Sequence, residues 1–344
     1  MNTGIVRDKI YLEHITDDYH PENIFRLKSI YTMLDSIDSK GIEYVPARMA
    51  THEEIAMIHS PSYIESIAAT KGKVQTRLDP DTVASPKSYE AACMAVGGVL
   101  NLADKLMENG VENGFALVRP PGHHAEHSRA MGFCIFNNIA VAARYLTKKH
   151  GLKKIIIVDF DLHHGNGTQH SFYTDYDVMY FSTHQYPYYP GTGHFDEVGE
   201  GEGKGYTVNV PLSYGMDDAD YMYVFKDLLM PIADLFKPEA ILVSAGFDTH
   251  HNDPLGGMGV TEAGYASMTR ILMDIAKKHS QGRLLFCLEG GYDINGLTNS
   301  VKAVIQEMKG TSIYGTKDLG SPCDGVIETV KRVKKALLPY WGEF

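Results

Sequence analysis

Asp159, Asp161 and His163 alternate in the run Ile-Ile-Ile-Val-Asp-Phe-Asp-Leu-His-His-Gly (155–165). On an extended backbone successive side chains point to opposite faces, so this spacing turns all three to one side of a strand end. Carboxylate and imidazole together suit a divalent ion, although acidic residues at such a point also end strands and cap helices. Asp248 closes Ile-Leu-Val-Ser-Ala-Gly-Phe-Asp (241–248) and supplies another carboxylate at a comparable strand end. Asp161, His163 and Asp248 would give one nitrogen and two carboxylate ligands and leave positions for water and substrate, as catalytic rather than structural zinc requires. The same mixed set admits Fe²⁺, Co²⁺ or Mn²⁺.

A second pair, His123 and His124, lies in Arg-Pro-Pro-Gly-His-His-Ala (119–125). Pro and Gly shape this loop, and a general base must stay within hydrogen-bond reach of its water. An isolated histidine pair is commonly structural; beside a metal strand it becomes a candidate acid–base pair. Nine of the 16 histidines fall between His123 and His194, so metal and proton chemistry concentrate in the middle of the chain.

These residues need a scaffold. Short apolar runs at 115–118, 155–160, 178–182, 206–210, 240–245 and 284–288 read as buried strands. Segments of helical period separate several of them, at 86–109, 138–150, 218–236, 262–279 and 294–309, with another at 21–40. The segment from Pro86 has Ser85 as its expected N-cap, an apolar stripe through Tyr89, Cys93, Val96, Leu100, Ala103 and Met107, and Gly110 past its end. Such alternation implies a parallel α/β sheet. Open parallel sheets bind ligands at the carboxyl ends of their strands. The loops 119–132, 161–167, 248–259 and 289–295 are therefore expected to converge.

Composition sets the outer bounds. The 344 residues include 32 Lys and Arg against 43 Asp and Glu, a net charge of −11. With 44% hydrophobic and 22% charged residues, the chain can bury a sizeable core and does not have the balance of a disordered protein. An acidic surface repels phosphate backbones, which argues against nucleic-acid partners. Apolar runs such as 155–158 and 240–245 fall far short of the roughly 20 residues of a membrane span. The first twenty residues hold acids and no apolar core, so no cleaved secretory leader is expected. Cys93, Cys134, Cys287 and Cys323 form no CxxC pair, which suggests neither disulfide framework nor zinc ribbon and favours a reducing cytoplasm. No low-complexity linker interrupts the alternation. One domain is expected over 1–344, with a core of about 5–310 and a less firmly held tail at 311–344.

Seven blocks carry a family resemblance: Arg-Pro-Pro-Gly-His-His-Ala (119–125), Gly-Phe-Cys-Ile-Phe-Asn-Asn (132–138), Val-Asp-Phe-Asp-Leu-His-His-Gly-Asn-Gly-Thr (158–168), Tyr-Pro-Gly-Thr-Gly (189–193), Ser-Ala-Gly-Phe-Asp (244–248), Asp-Pro-Leu-Gly-Gly (253–257) and Glu-Gly-Gly-Tyr (289–292). In this order they resemble the zinc-dependent histone deacetylase superfamily. His-Pro-Glu-Asn (20–23) with Arg26 is similar to an early segment of that family. The wording is nearest the class II branch and its bacterial relatives, which include acetylpolyamine amidohydrolases and proteins named for acetoin utilisation. The resemblance implies a single-domain arginase/deacetylase α/β fold, a central parallel sheet of about eight strands flanked by helices.

It also implies roles. Asp161, His163 and Asp248 would be the zinc ligands, with Asp159 orienting His123 and Asn166 orienting His124. Some relatives have Asp at position 166, so His124 would be less basic here. A structural potassium ion would be held through Asp159, Ser182 and the carbonyls of Asp161, His163 and Thr183, and a second one near Phe172 and Val178. Metal and His124 together would activate water against an acyl amide, with His123 as electrostatic partner and Tyr292 giving its hydroxyl to the tetrahedral intermediate. Phe133 and Tyr189 would wall a substrate tunnel, the Gly132 carbonyl would accept from the substrate amide, and Asp81 would grip the substrate at the rim, with Asp79 as its competitor. Leu255 stands where some polyamine-selective relatives have a glutamate, which leans toward acyl-lysine.

The expected partner is a small-molecule or peptide N-acyl amine, with assembly into homo-oligomers left open. Acetylpolyamine hydrolysis is the alternative substrate class. An arginase-like dinuclear site fits less well, because Gly165 and His250 stand where further carboxylates would be needed. A non-catalytic binder would be expected to lose a ligand, the histidine pair or the tyrosine, and all of these are present.

Overall fold

The computed structural model describes residues 2–17, 19–315 and 319–344. Among the described residues there are ten strands: β1 (Thr3–Val6), β2 (Ile42–Tyr44), β3 (Thr76–Arg77), β4 (Val83–Ala84), β5 (Asn113–Ala116), β6 (Ile155–Asp159), β7 (Val178–Gln185), β8 (Thr207–Leu212), β9 (Ala240–Ala245) and β10 (Leu284–Leu288). Eight of them form one sheet in the order β2-β1-β5-β10-β9-β6-β7-β8, and β3 and β4 make a separate two-stranded ribbon. Every neighbouring pair in the large sheet is parallel. Parallel neighbours need crossover connections, and the helical segments supply them on both faces. Because both faces are covered, the central strands are almost wholly apolar, Asp159 and Ser244 excepted, and every residue of β6, β9 and β10 is buried.

Helix Ser88–Met107 buries the expected stripe through Cys93, Val96, Leu100 and Ala103. Ser85 does not cap it. The Ser85 hydroxyl instead accepts the Ile15 N–H (2.9 Å) and meets the Ser88 hydroxyl (2.9 Å), so the helix starts after Lys87 with no side-chain cap. The stretch 218–236 is continuous but carries a π-helical turn over Phe225–Leu229. A last helix, Asp324–Trp341, buries Val326, Val330, Val333 and Leu337 and packs against the edge strand β8. Residues 316–318 of the expected tail lie outside the described residues.

Register decides what meets at the carboxyl edge. Asp159, the last residue of β6, pairs with Ser182 on β7 and with Ser244 on β9. The segments after β5, β6, β9 and β10 therefore leave the sheet side by side.

Candidate active site

Asp159 belongs to β6, but Asp161 and His163 lie beyond it in a loop, not on the extended backbone their alternation suggests. Two carboxylates cause the turn: Asp159 Oδ1 accepts the Asp161 N–H (3.2 Å) and Asp161 Oδ1 accepts the His163 N–H (2.9 Å). The turn brings His163 Nδ1 to 3.3 Å from Asp161 Oδ1 and 3.0 Å from Asp248 Oδ2. Donor atoms of Asp161, His163 and Asp248 all lie within 4.8 Å of one another, and all three residues are buried. Backbone N–H groups fix the carboxylates, Gly290 to Asp161 Oδ2 (2.9 Å) and Leu162 to Asp248 Oδ1 (2.9 Å).

This set fits a divalent ion. Two ligands about 2.0 Å from a tetrahedral centre stand roughly 3.3 Å apart, close to the separations found here. Two buried carboxylates stand side by side here: burial, and then the charge of Asp161, push Asp248 above the usual carboxylate range. A dication between them would remove that conflict. A second group of potential donors, His123, Cys134 and Glu289, also lies within 4.8 Å, but Glu289 Oε2 already accepts the N–H groups of Gly122 (2.7 Å) and His123 (3.2 Å).

The histidine pair has two different partners. His123 Nδ1 contacts Asp159 Oδ2 (3.1 Å), an oxygen that also accepts from the Tyr180 hydroxyl (2.9 Å). Burial disfavours the imidazolium, but the charges of Asp161 and Asp159 outweigh it and raise His123 to about 10. His124 Nδ1 meets Asn166 Oδ1 at 2.8 Å. Burial, then the neighbouring His123 and His163, hold His124 well below its ordinary value. With a neutral amide oxygen accepting at Nδ1, the Nε2 lone pair of His124 stays available.

A cavity of about 100 Å³ is lined by Asp81, His124, Gly132, Phe133, His163, Tyr189, Leu255 and Tyr292. The Tyr189 ring stands edge-on to His124 (5.2 Å) and His163 (6.0 Å), and Phe133 is edge-on to Tyr292 (5.9 Å). Gly132 and Phe133 form a left-handed turn, with φ of +56° and +68°, held by Asp81 Oδ1 on the Gly132 N–H (3.1 Å) and Thr82 Oγ1 on the Phe133 N–H (3.0 Å). One Asp81 oxygen is thus already engaged in building the wall. The Cys134 thiol donates to the Gly132 carbonyl (3.3 Å).

Several supporting residues lie in or beside the family-like blocks but had no role assigned from the sequence. Asp253 accepts the Tyr292 N–H (2.6 Å) through Oδ2 and the Leu255 N–H (2.9 Å) through Oδ1, so one carboxylate holds two cavity residues. Tyr188 donates to the Leu255 carbonyl (2.9 Å) and stacks on His163 (5.6 Å). Glu22 pairs with Arg26 (3.0 Å) and with Arg119, all fully buried, while Arg26 donates to the carbonyls of Gly291 (2.7 Å) and Glu289 (2.5 Å). Burial disfavours the Glu22 carboxylate, yet the Arg119 charge and hydrogen bond outweigh it and hold Glu22 at about 2. The expected cation ligands Asp159, Ser182 and Thr183 adjoin through the β6–β7 register, and the Thr183 hydroxyl lies 3.5 Å from the Asp159 carbonyl.

Residues 20–308 match the family model described as histone deacetylase domain. The chain is 40% identical over 329 residues to histone deacetylase 15 of Arabidopsis thaliana, covering 94% of this chain and 59% of that protein. It is 39% identical to a probable deacetylase of Archaeoglobus fulgidus (92% of this chain, 89% of that one) and 39% identical to the polyamine deacetylase HDAC10 of Danio rerio (87% and 46%). It thus spans about half the length of the plant and fish relatives. The crystal structure of the HDA15 HD domain superposes with a TM-score of 0.92 at 38% identity, over 99% of this chain and 95% of that one.

Proposed function

Because this chain belongs to the histone deacetylase family, we propose that it is a zinc-dependent amidohydrolase that removes acyl groups from amines, acyl-lysine side chains in preference to acylpolyamines. The observation that carries this reading is the cavity whose lining combines His163 of the ligand trio, His124, Tyr292 and the two aromatic rings Phe133 and Tyr189. Asp161, His163 and Asp248 would hold the zinc. When bound there, the ion supplies a water of lowered pKa and polarises the acyl carbonyl.

The chain's own groups do the rest. His124 Nε2 takes a proton from the attacking water and returns one to the departing amine. His123, paired with Asp159 and beside the His124 ring, would balance charge that develops there. The Tyr292 hydroxyl donates to the oxygen of the tetrahedral intermediate, and Asp253 fixes the backbone from which that hydroxyl projects. Phe133 and Tyr189 exclude water along an extended alkyl chain. Asp159, Ser182 and Thr183 would hold a structural potassium ion beneath the loop. Four free thiols accord with a reducing, cytoplasmic setting.

Apolar Leu255 at the cavity wall supports acyl-lysine, whereas the relatives named as polyamine deacetylases support the alternative. Comparing kcat/KM of zinc-loaded protein on an acetyl-lysine peptide, N-acetylputrescine and N-acetylspermidine tests both levels. Hydrolysis of none of them refutes the enzyme reading, and a preference of roughly 100-fold for a polyamine replaces the substrate class.

A further inference from the structure

The orientation of Asn166 decides which nitrogen of His124 carries the proton, and Glu126 faces Asn166 from the side away from the ring. Asn166 Oδ1 lies 2.8 Å from His124 Nδ1, while Nδ2 of the same amide lies 2.5 Å from Glu126 Oε1. The two ends of an amide have opposite polarity. With its oxygen toward His124, Asn166 accepts the Nδ1–H and leaves the Nε2 lone pair to the cavity. Rotated by half a turn, it would donate to Nδ1, put the ring proton on Nε2 and remove the base.

A carboxylate only accepts, so the amide nitrogen must face Glu126 and the amide oxygen must face the ring. The weaker contacts of Nδ2, with the His124 carbonyl and Met131 Sδ at 3.4 Å, favour the same orientation. Glu126 is itself held in place: its carbonyl contacts His59 Nδ1 (2.9 Å) and both carboxylate oxygens lie near His170 Nδ1 (2.9 and 3.1 Å). It does not line the cavity.

We propose that Glu126 is a positioning residue that fixes the Asn166 amide and, through it, the Nδ1–H tautomer of His124. The catalytic consequence rests on the amidohydrolase reading; the tautomer itself does not. The charge that an aspartate at position 166 would place beside His124 is supplied here from one residue further away.

The test uses E126A, N166D and the swap E126Q/N166D. E126A removes the group that selects the amide orientation, and kcat is expected to fall about 10-fold with KM within about twofold. N166D alone sets two carboxylates against each other and is also expected to be slow. In the swap the glutamine amide donates to the new carboxylate, an acceptor again faces His124, and activity is expected to return to within about threefold of the parent. Histidine-labelled ¹⁵N NMR of metal-free protein reads the tautomer directly: Nδ1–H in the parent and the swap, a mixture in E126A.

Parental kcat together with an unchanged tautomer in E126A overturns the proposal, as does a swap no faster than N166D. If E126A does not fold, E126Q takes its place, because its amide no longer enforces one orientation. If the parent hydrolyses no N-acyl amine, the amidohydrolase reading fails and the tautomer measurement alone decides this one.

Discussion

A β-carbon on Gly132 would lie 2.3 Å from His124 Cδ2, at a backbone φ of +56°. The close approach leaves no room for a side chain, the backbone conformation disfavours one, and the ring displaced would be that of His124, the proposed base. Gly132→Ala is therefore expected to cost about 1 kcal/mol for the left-handed backbone alone, and to lower kcat at least about 10-fold by moving His124. Chemical denaturation and steady-state kinetics on one preparation check both. Tyr292→Phe should behave differently. It removes one donor without changing the packed ring, so kcat should fall roughly 100-fold while KM and the urea midpoint stay near the parental values. Equal loss in kcat and stability would argue that the tyrosine is only a packing residue.

At the scale of elements, buried charge and neutral imidazoles lock the loops to the sheet. Glu22→Gln leaves Arg26 and Arg119 without their buried carboxylate, and a loss of about 3–5 kcal/mol is expected in equilibrium unfolding. His59 accepts the Asn137 N–H at Nε2 (2.8 Å) and contacts the Glu126 carbonyl through Nδ1 (2.9 Å), which fixes a neutral tautomer. Burial lowers it from 6.5 to about 4. The unfolded chain then binds a proton that the folded one does not between those pH values, so this contribution is complete above 6.5 and shrinks as pH falls toward 4. The parent should lose stability relative to His59→Gln across that window, by up to about 1.4 kcal/mol per pH unit. A pH-independent difference between the two proteins would refute the assignment.

The same elements show what the sequence made legible. Apolar runs such as Ile155–Asp159 and Leu284–Leu288 declare central strands because both faces are covered. The edge strand Ile42–Tyr44 did not stand out, being three residues with a glutamate between partly exposed neighbours. The run 115–118 pointed two residues late, because Asn113 and Gly114 pair in β5 despite poor strand propensity while Leu117 and Val118 are already leaving the ladder. The ligand trio could be read from residue type, but the turn that joins it depends on carboxylate–backbone bonds that no periodicity reveals. Tyr180 looked like any other apolar-strand residue, although its hydroxyl meets Asp159.

For the molecule as a whole, the proposed zinc couples to stability. Its ligands converge only in the folded chain, so zinc at about 100 times its Kd should add roughly 2.7 kcal/mol and raise Tm. Chelation should abolish hydrolysis and reverse that shift, and Asp248→Asn should remove the zinc-dependent part of Tm. The final helix predicts the opposite separation of effects. Leu337 is 1% exposed on an element packed at the β8 edge, so Leu337→Ala should cost about 2–5 kcal/mol and leave KM unchanged. Among the described residues no helix is long and apolar enough to cross a membrane.

The strand order carries a temporal consequence. Asp161 and His163 follow β6, Asp248 follows β9, and β9 lies between β6 and β10 in the sheet although β7 and β8 precede it in the chain. During synthesis a fragment ending near residue 220 already has two of the proposed ligands and cannot yet hold the third. Capture of the proposed zinc would therefore follow the pairing of β9 with β6, and the rate at which a refolding chain takes up zinc should report that pairing, not the nucleation of the sheet.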